Sequence, residues 1–444
     1  RPFEAMPMHP TYLNLGCAAH YRQGFLNVDL DAPQADQHLQ PDAALPWERG
    51  TVPGIYSAHL LERLPRNQGI RLLHECRRVL QPGGVIRIVT TDLKALLDDY
   101  LSDRQHPEAP GVFRGQRLNE VLRGQAWTYD AEELTRICKM IGLEPVTDTP
   151  DGTSSDPVLN GLEAPGTGQL VLEFRKPQRQ LAQGDQPLVS IVMPTFNPSY
   201  LHFALQSALN QTYTHLEILL CDDCPTDAIE RIAAEYGKFD SRIRYIRNPD
   251  AGKDIGRLNH VLCLNEARGE FIKFLNDDDL LDVECVERMI NSFSTYPDIT
   301  LVTSKRQRID QDGTPLGDIP ATQAPVAADS TIEGLSLGTA LMLSQVNFVG
   351  EPSTVMFRRD DMLGVMPDFM SVDEQPIAWA SDVAIFLNLA LKGNTVYLVE
   401  PLSSFRIHGE QCQVLYGAAA QSESRRCWGI MRDFWTRHEF DKSL

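Results

Sequence analysis

Residues 269–279 read GEFIKFLNDDD, an apolar run followed by Asn276 and then by Asp277, Asp278 and Asp279 in succession. Like charges about 4 Å apart repel by roughly 4 kcal/mol at an effective dielectric near 20, so three adjacent carboxylates need partners that offset them. A hard divalent cation takes oxygen ligands and completes its shell with substrate phosphates, which makes it one such partner. A local reading competes with this one. Asp279 could accept backbone N–H groups as the N-cap of a helix over LLDVECVERMINSF, with its neighbours solvated.

The elements that must position these acids are legible around them. Residues 188–193 form a near-continuous apolar run, the pattern of a strand buried on both faces, and lead into Pro194, Thr195, Phe196 and Asn197. A helix over about 200–210 follows, then a strand over 216–220 ending in Asp222 and Asp223, a helix over 227–236, a strand over 243–246, a helix over 258–267 and the strand 271–275. Repeated β-α-β units give a parallel sheet, and ligands bind outside the carboxyl ends of its strands. The clusters PTFN, CDD and NDDD all fall at such ends.

The segments VSIVMPTFN, LEILLCDDCPTD and ARGEFIKFLNDDDLL resemble a family 2 glycosyltransferase of the GT-A fold, and further matches extend the likeness over nearly all of 187–410. The resemblance implies an inverting, metal-dependent transfer of a sugar from a UDP- or dTDP-sugar donor to an acceptor hydroxyl, in glycan or polysaccharide biosynthesis. It places Pro194, Thr195, Asn197, Asp223, Arg257, Asn259 and Asp277 at the nucleotide-sugar, with Asp223 reading the base N3–H and Asp277 the ribose. Arg257 suits phosphate because its guanidinium is a fixed fork of donors. The resemblance further implies Mg²⁺ or Mn²⁺ at Asp278 and His408, and Asp382 as the base that deprotonates the acceptor. Position alone also makes Asp382 an N-cap of the helix in WASDVAIFLNLALKG, and Asp373 and Glu374 are rivals for the base. Pro352 and Ser353 fall in the acceptor-side segment, and the acceptor itself is a glycan, a lipid-linked glycan or a protein.

The first half has its own chemistry. Strand 12–15, the small-residue turn Gly16, Cys17, Ala18 and Ala19, strand 25–28 and then Asp29 follow the logic of nucleotide binding, in which backbone approaches the ligand and a carboxylate accepts from ribose hydroxyls. LNLGCAAH, GFLNVDLD and LHECRRVLQPGGVIRIV resemble a class I S-adenosylmethionine-dependent methyltransferase domain, over residues 11 to about 100 and less closely to 175. The resemblance implies a parallel Rossmann-like sheet closed by an antiparallel hairpin over 144–147 and 170–174. It implies S-adenosylmethionine as cofactor, with Gly16 and Ala18 facing it, Asp29 at its ribose and Asp42 on the adenine side. Ala18 stands where that family usually has glycine, and its methyl narrows the room for backbone approach. Glu62-Arg63-Leu64 stands for Glu-His-Leu and Thr91-Asp92 for Pro-Asp. His20 and His59 are acceptor-side bases or structural histidines.

The chain therefore reads as α/β with two Rossmann-like domains: a methyltransferase-like sheet over 1–177, a linker over 178–187 and a GT-A domain over 188–444. The first domain methylates the glycan or serves as a non-catalytic docking module. The rival reading is a methyltransferase whose second domain only binds nucleotide or glycan. A net charge of -19 over 444 residues argues against a general nucleic-acid or anionic-membrane surface. No apolar run approaches about 18 residues, so no transmembrane segment is expected and the chain reads as cytoplasmic, peripheral at most to the inner face of a membrane. Nine cysteines, odd in number and scattered, make no disulfide framework, and the pair Cys221 and Cys224 has no second pair to complete a zinc site.

Overall fold

The computed structural model describes residues 11–19, 21–40, 44–102, 122–147, 153–163, 168–178, 180–252, 256–438 and 440. It divides into two compact units, Arg1–Gln178 with Arg437–Glu439, and Arg179–Thr436 with Phe440–Leu444.

The first unit is built on strands β1 (Leu13–Leu15), β2 (Leu26–Asp29), β3 (Gln37–His38), β4 (Val52–Ala58), β5 (Leu80–Thr91), β6 (Glu144–Pro145) and β7 (Gln169–Arg175). Their order across the sheet is β3-β2-β1-β4-β5-β7-β6. Strands β1 to β5 pair in parallel, and β7 runs antiparallel between β5 and β6. The sheet grows from β1 toward β3 in one direction and from β4 toward β5 in the other, so its topological switch point lies between β1 and β4. Helices α1 (Arg66–Val79), α2 (Leu93–Ser102) and α3 (Ala131–Met140) connect these strands. On α1, Ile70, Leu73 and Cys76 are buried, as their spacing along one helix face requires.

The second unit begins with β8 (Val189–Thr195), α4 (Leu201–Leu209), β9 (Leu216–Asp222), α5 (Ala228–Gly237), β10 (Ile243–Arg247), α6 (Arg257–Glu266) and β11 (Phe271–Phe274). Strands β8 to β11 are parallel, in the order β10-β9-β8-β11. Every residue of β8, β9 and β11 is buried, which is why these strands lack polar alternation. The sheet continues past β11 through β15 (Val355–Arg358), β13 (Ile299–Ile309), β18 (Asn394–Arg406) and β12 (Leu280–Leu281), with β14 (Ser330–Ile332) also on β18. A small hairpin of β16 (Ser371–Val372) and β17 (Gln375–Pro376) stands apart from it. The remaining helices are α7 (Cys285–Thr295), α8 (Gly334–Ser344), α9 (Ser381–Lys392) and α10 (Cys412–Arg437), the last broken at Gly417. Trp435 on α10 is fully buried, and its ring N–H donates to Thr339 Oγ1 at 3.0 Å.

One expectation fails at the acidic run. LLDVECVERMINSF does not begin as a helix at Asp279, because Leu280 and Leu281 first pair with Ser404 and Ser403 on β18. Helix α7 starts at Cys285 with Glu284 in the cap position, so Asp279 caps nothing. The described cysteines are free and buried, and no helix among the described residues is long and apolar enough to cross a membrane.

Gly269 sets the start of β11 and hence the position of the acids at its end. Its N–H donates to Ser190 Oγ at 2.8 Å, and a Cβ there would sit 2.5 Å from the Ser190 nitrogen and 2.8 Å from the Leu188 carbonyl oxygen. Overpacking of this kind costs about 1–3 kcal/mol. Gly269→Ala is expected to lower the urea midpoint at an unchanged m value, and a wild-type midpoint would show that β11 docks by other means.

Candidate active site

The three adjacent aspartates leave β11 in three directions. Asp277 Oδ2 accepts the backbone N–H groups of Phe196 and Asn197, at 2.6 and 2.7 Å, and so ties the end of β11 to the loop after β8. Burial, and next the charge of Asp278, push Asp277 up to about 7 against the pull of those two donors. Asp278 Oδ2 faces His408 Nε2 at 3.0 Å, and the His408 ring lies 4.8 Å from that of Tyr200. Asp279 is fully buried, where Oδ2 accepts from Ser353 Oγ at 2.6 Å and Oδ1 from the Arg406 N–H at 3.1 Å. Burial and then the Asp278 charge hold Asp279 well above the usual carboxylate range. Lys273, itself buried on β11, donates to the Ser353 carbonyl, and burial draws its ammonium below the ordinary value.

Arg406 braces this region. Its Nε donates to the Asp278 carbonyl at 2.9 Å, its Nη1 to the carbonyls of Asp310 and Gln311 at 3.2 and 3.1 Å, and its guanidinium covers the Tyr200 ring at 4.7 Å.

On the neighbouring strand end, Asp223 Oδ1 accepts from the Gly252 N–H at 3.1 Å and from Asn248 Nδ2 at 3.3 Å, while Asp222 is taken by Tyr245 and Arg247. Pro194 and Thr195 close β8, and Thr195 Oγ1 donates to the Cys221 carbonyl at 2.9 Å. Asn197 donates to Glu410 Oε2 at 2.7 Å. Two of the expected donor-side residues are engaged within the chain. The Asn259 amide donates to the Cys221 carbonyl at 2.8 Å and lies buried, so it fastens strand ends together instead of facing outward. Arg257 is ion-paired with Asp368, so its fork is already matched to a carboxylate of the chain.

Asp382 is not an N-cap. Ala380 holds that position with a left-handed φ of 57°, and Asp382 is the second residue of α9. Its Oδ1 accepts from the Val383 N–H at 3.0 Å and its Oδ2 from Asn347 Nδ2 at 2.6 Å. Asn347 is locked in turn on Gly350, donating to its carbonyl at 2.8 Å and accepting its N–H at 3.0 Å. Burial, and then the charge of Glu351, push Asp382 up to about 7. Glu351 is ion-paired with Arg306 at 2.6 Å, and it too is raised, by burial foremost and in part by Asp278. Asp278 thus acts electrostatically on Glu351 and Glu351 on Asp382, with Arg306 paired to Glu351 between them in this series. Asp373 and Glu374 form the two-residue tip of the β16–β17 hairpin, with φ of 49° and 65°.

Arg306 and Asn347 carry no local signal in the sequence, whereas Arg406 is the arginine of the Arg-x-His pattern in FRIHGEQC. Glu351 lies inside the GEPSTVMFRR segment and was the one that could have been singled out there, as an acid ahead of Pro352.

In the first unit, Gly16 has φ +84° and approaches the Ala58 carbonyl so closely that no side chain fits. The Ala18 N–H donates to Asp29 Oδ2 at 3.0 Å. Asp29 is fully buried, and its Oδ1 accepts from Arg63 Nη1 at 3.0 Å and from the Asp31 N–H at 3.3 Å. Burial works against ionisation, yet Arg63 and the neighbouring N–H groups hold Asp29 below the ordinary value. A carboxylate so engaged does not fit the ribose-reading role that S-adenosylmethionine requires. His59 Nδ1 meets Glu62 Oε1 at 2.8 Å, and Glu62 Oε2 accepts from Thr90 Oγ1 at 2.7 Å. Asp42 and His20 lie outside the described residues.

Raising Asp382 from 3.8 to about 7 has a thermodynamic sign. The folded state holds the proton more tightly than the unfolded chain, so the group favours folding in acid and that contribution is lost as pH rises through about 7. At about 1.4 kcal/mol per tenfold change in acidity, the loss is on the order of 2–4 kcal/mol. Asp382→Asn is expected to melt above the wild type at pH 8, with a gap that narrows toward pH 5 in paired thermal scans. A gap independent of pH would mean that Asp382 is charged throughout.

Residues 190–361 match the family described as Glycosyl transferase family 2. The chain is 25% identical over 257 residues to a Bacillus subtilis protein named as a teichuronic acid biosynthesis glycosyltransferase, TuaG, covering 57% of this chain and 90% of that one. It is 36% identical over 128 residues to the chondroitin synthase of Escherichia coli, covering 29% of this chain and only 18% of that one. The solved structure of S. aureus TarS 1-349 in complex with UDP aligns at 16% identity and a TM-score of 0.40, over 55% of this chain and 64% of that one. The family 2 match over residues 190–361, together with the glycosyltransferase-named relatives, supports a glycosyltransferase enzyme.

Proposed function

We propose that the second unit moves a sugar, with inversion, from a UDP- or dTDP-linked donor to a hydroxyl of a glycan acceptor in polysaccharide biosynthesis. The observation that supports this is the set of acids at the carboxyl ends of parallel strands, Asp223 after β9 and Asp277 and Asp278 after β11, with Asp278 acting electrostatically on Glu351 and Glu351 on Asp382. The names of two relatives, a teichuronic acid glycosyltransferase and a chondroitin synthase, favour a polymer product.

In this reading Asp223 holds the base and Asp277, fixed by the loop after β8, holds the ribose. Asp278 and His408, 3.0 Å apart, would hold Mg²⁺ or Mn²⁺; among the described residues no group of three or more His, Cys, Asp or Glu could hold a metal ion by itself, so oxygens of the donor diphosphate would complete the shell. When bound, the cation offsets charge on the leaving diphosphate. Asp382 takes the proton of the acceptor hydroxyl. The acceptor oxygen then bonds to the anomeric carbon from the face opposite the diphosphate, the bond to the diphosphate breaks, and the configuration inverts. A carboxylate near 7 accepts that proton more readily than one at the ordinary value, since efficiency is greatest when pKa and working pH match. Arg257 has no part in this scheme while Asp368 holds it.

The strand order and turn of the first unit support a methyltransferase-like domain, and the engaged Asp29 favours a docking module over a second catalyst.

The purified chain, given UDP- and dTDP-sugars with Mn²⁺ and no acceptor, is expected to hydrolyse one donor slowly. Asp382→Asn should lower transfer by about 10²–10⁴-fold while UDP affinity changes by no more than about twofold. Asp278→Asn should abolish Mn²⁺-dependent UDP binding in calorimetry, and unchanged affinity in that variant defeats the proposal.

A further inference from the structure

In an open α/β sheet the crevice at the topological switch point is where a nucleoside ligand enters. In the first unit that crevice lies outside the carboxyl ends of β1 and β4, with Asp29 at the end of β2 as the acid placed for a ribose. Arg63, on the turn that follows β4, reaches across it. Its Nη1 donates to Asp29 Oδ1 at 3.0 Å, and it also pairs with Asp31.

The turn is built to aim that side chain. Leu61 and Leu64 are buried on either side of it, and Glu62 is turned inward, where His59 and Thr90 hold its carboxylate and the Ala126 N–H donates to its carbonyl at 2.6 Å. Arg63 is the one member of this turn left partly exposed, with a quarter of its side chain accessible, while the carboxylate it grips is not accessible at all. The remaining oxygen of Asp29 is taken by the Ala18 N–H, and the Gln34 amide lies on the Ala18 carbonyl. The turn that would offer its backbone to a ligand is therefore bonded on both sides to the chain itself.

We infer that the first unit does not take S-adenosylmethionine, because Arg63 straps the switch-point crevice shut and fills in advance the interaction a ribose would make. This inference is independent of the chemistry assigned to the second unit, whose donor binding serves as the internal control.

Calorimetric titration of the full chain with S-adenosylmethionine is expected to give no saturable binding below about 1 mM. Arg63→Ala frees Asp29 and is expected to gain affinity by about tenfold or more, as removal of a charge-assisted bond leaves the carboxylate unpaired. UDP binding should be the same in both proteins. If circular dichroism shows Arg63→Ala to be unfolded, Arg63→Lys, which keeps the charge without the fork, is expected to gain by a smaller factor. Micromolar binding by the wild-type chain, or a folded variant no better than wild type, overturns the inference.

Discussion

Three carboxylates in a row cannot share one environment, and the second unit is arranged around that constraint. Successive residues leave β11 pointing apart, so each acid finds a different partner. Asp277 takes backbone N–H groups about 80 residues earlier, Asp278 a histidine 130 residues later, and Asp279 a serine 74 residues later. Only Asp279 is fully withdrawn from solvent, and it is the one supplied with a hydroxyl, a backbone N–H and a nearby ammonium. Burying an ionisable group without such partners costs several kcal/mol. The run thus serves two ends: its last member locks the sheet together, and its first two are left half-buried, where a ligand can reach them.

Much of this was legible in the sequence, and the limit has a physical form. The placement of PTFN, CDD and NDDD at strand ends follows from the alternation of helices and strands, because direction along a parallel sheet is fixed by connection. Where each side chain turns at its strand end depends on partners far away in the chain, and periodicity carries no information about those. Asn259 shows the difference. It lies in the expected segment, yet its amide is spent on a carbonyl of β9. Arg257 likewise has the right chemistry for phosphate, but the sequence does not reveal that Asp368, on a loop more than a hundred residues later, reaches it first. Asn347 and Arg306 were missed because a support for a carboxylate has no motif of its own.

The two units use the same grammar to opposite ends. Each sets an acid at the carboxyl end of a parallel strand, beside a turn whose backbone N–H groups bond to it. In the second unit those N–H groups are the only partners described for the Asp277 carboxylate, and burial keeps it raised. In the first unit a cation from the adjacent turn completes the acid's shell and settles its charge. A strand-end aspartate is therefore only half a statement about binding. The other half is whether the chain has kept a cation to answer it.

Arg406 and His408 bear on how the molecule comes into being. The family match ends at residue 361, whereas Asp382 lies on α9 and the two residues that hold Asp278 lie at the end of β18 and just after it. During synthesis from the amino end, Asp277 can meet the loop after β8 as soon as β11 clears the ribosome, but Asp279 waits 74 residues for Ser353 and 127 for the Arg406 N–H, and Asp278 waits 130 for His408. Contacts of such long sequence separation form late and slowly. For that interval the nascent protein carries Asp278 without His408 and Asp279 without the Arg406 N–H, so these contacts are complete only once residues 406–408 have emerged.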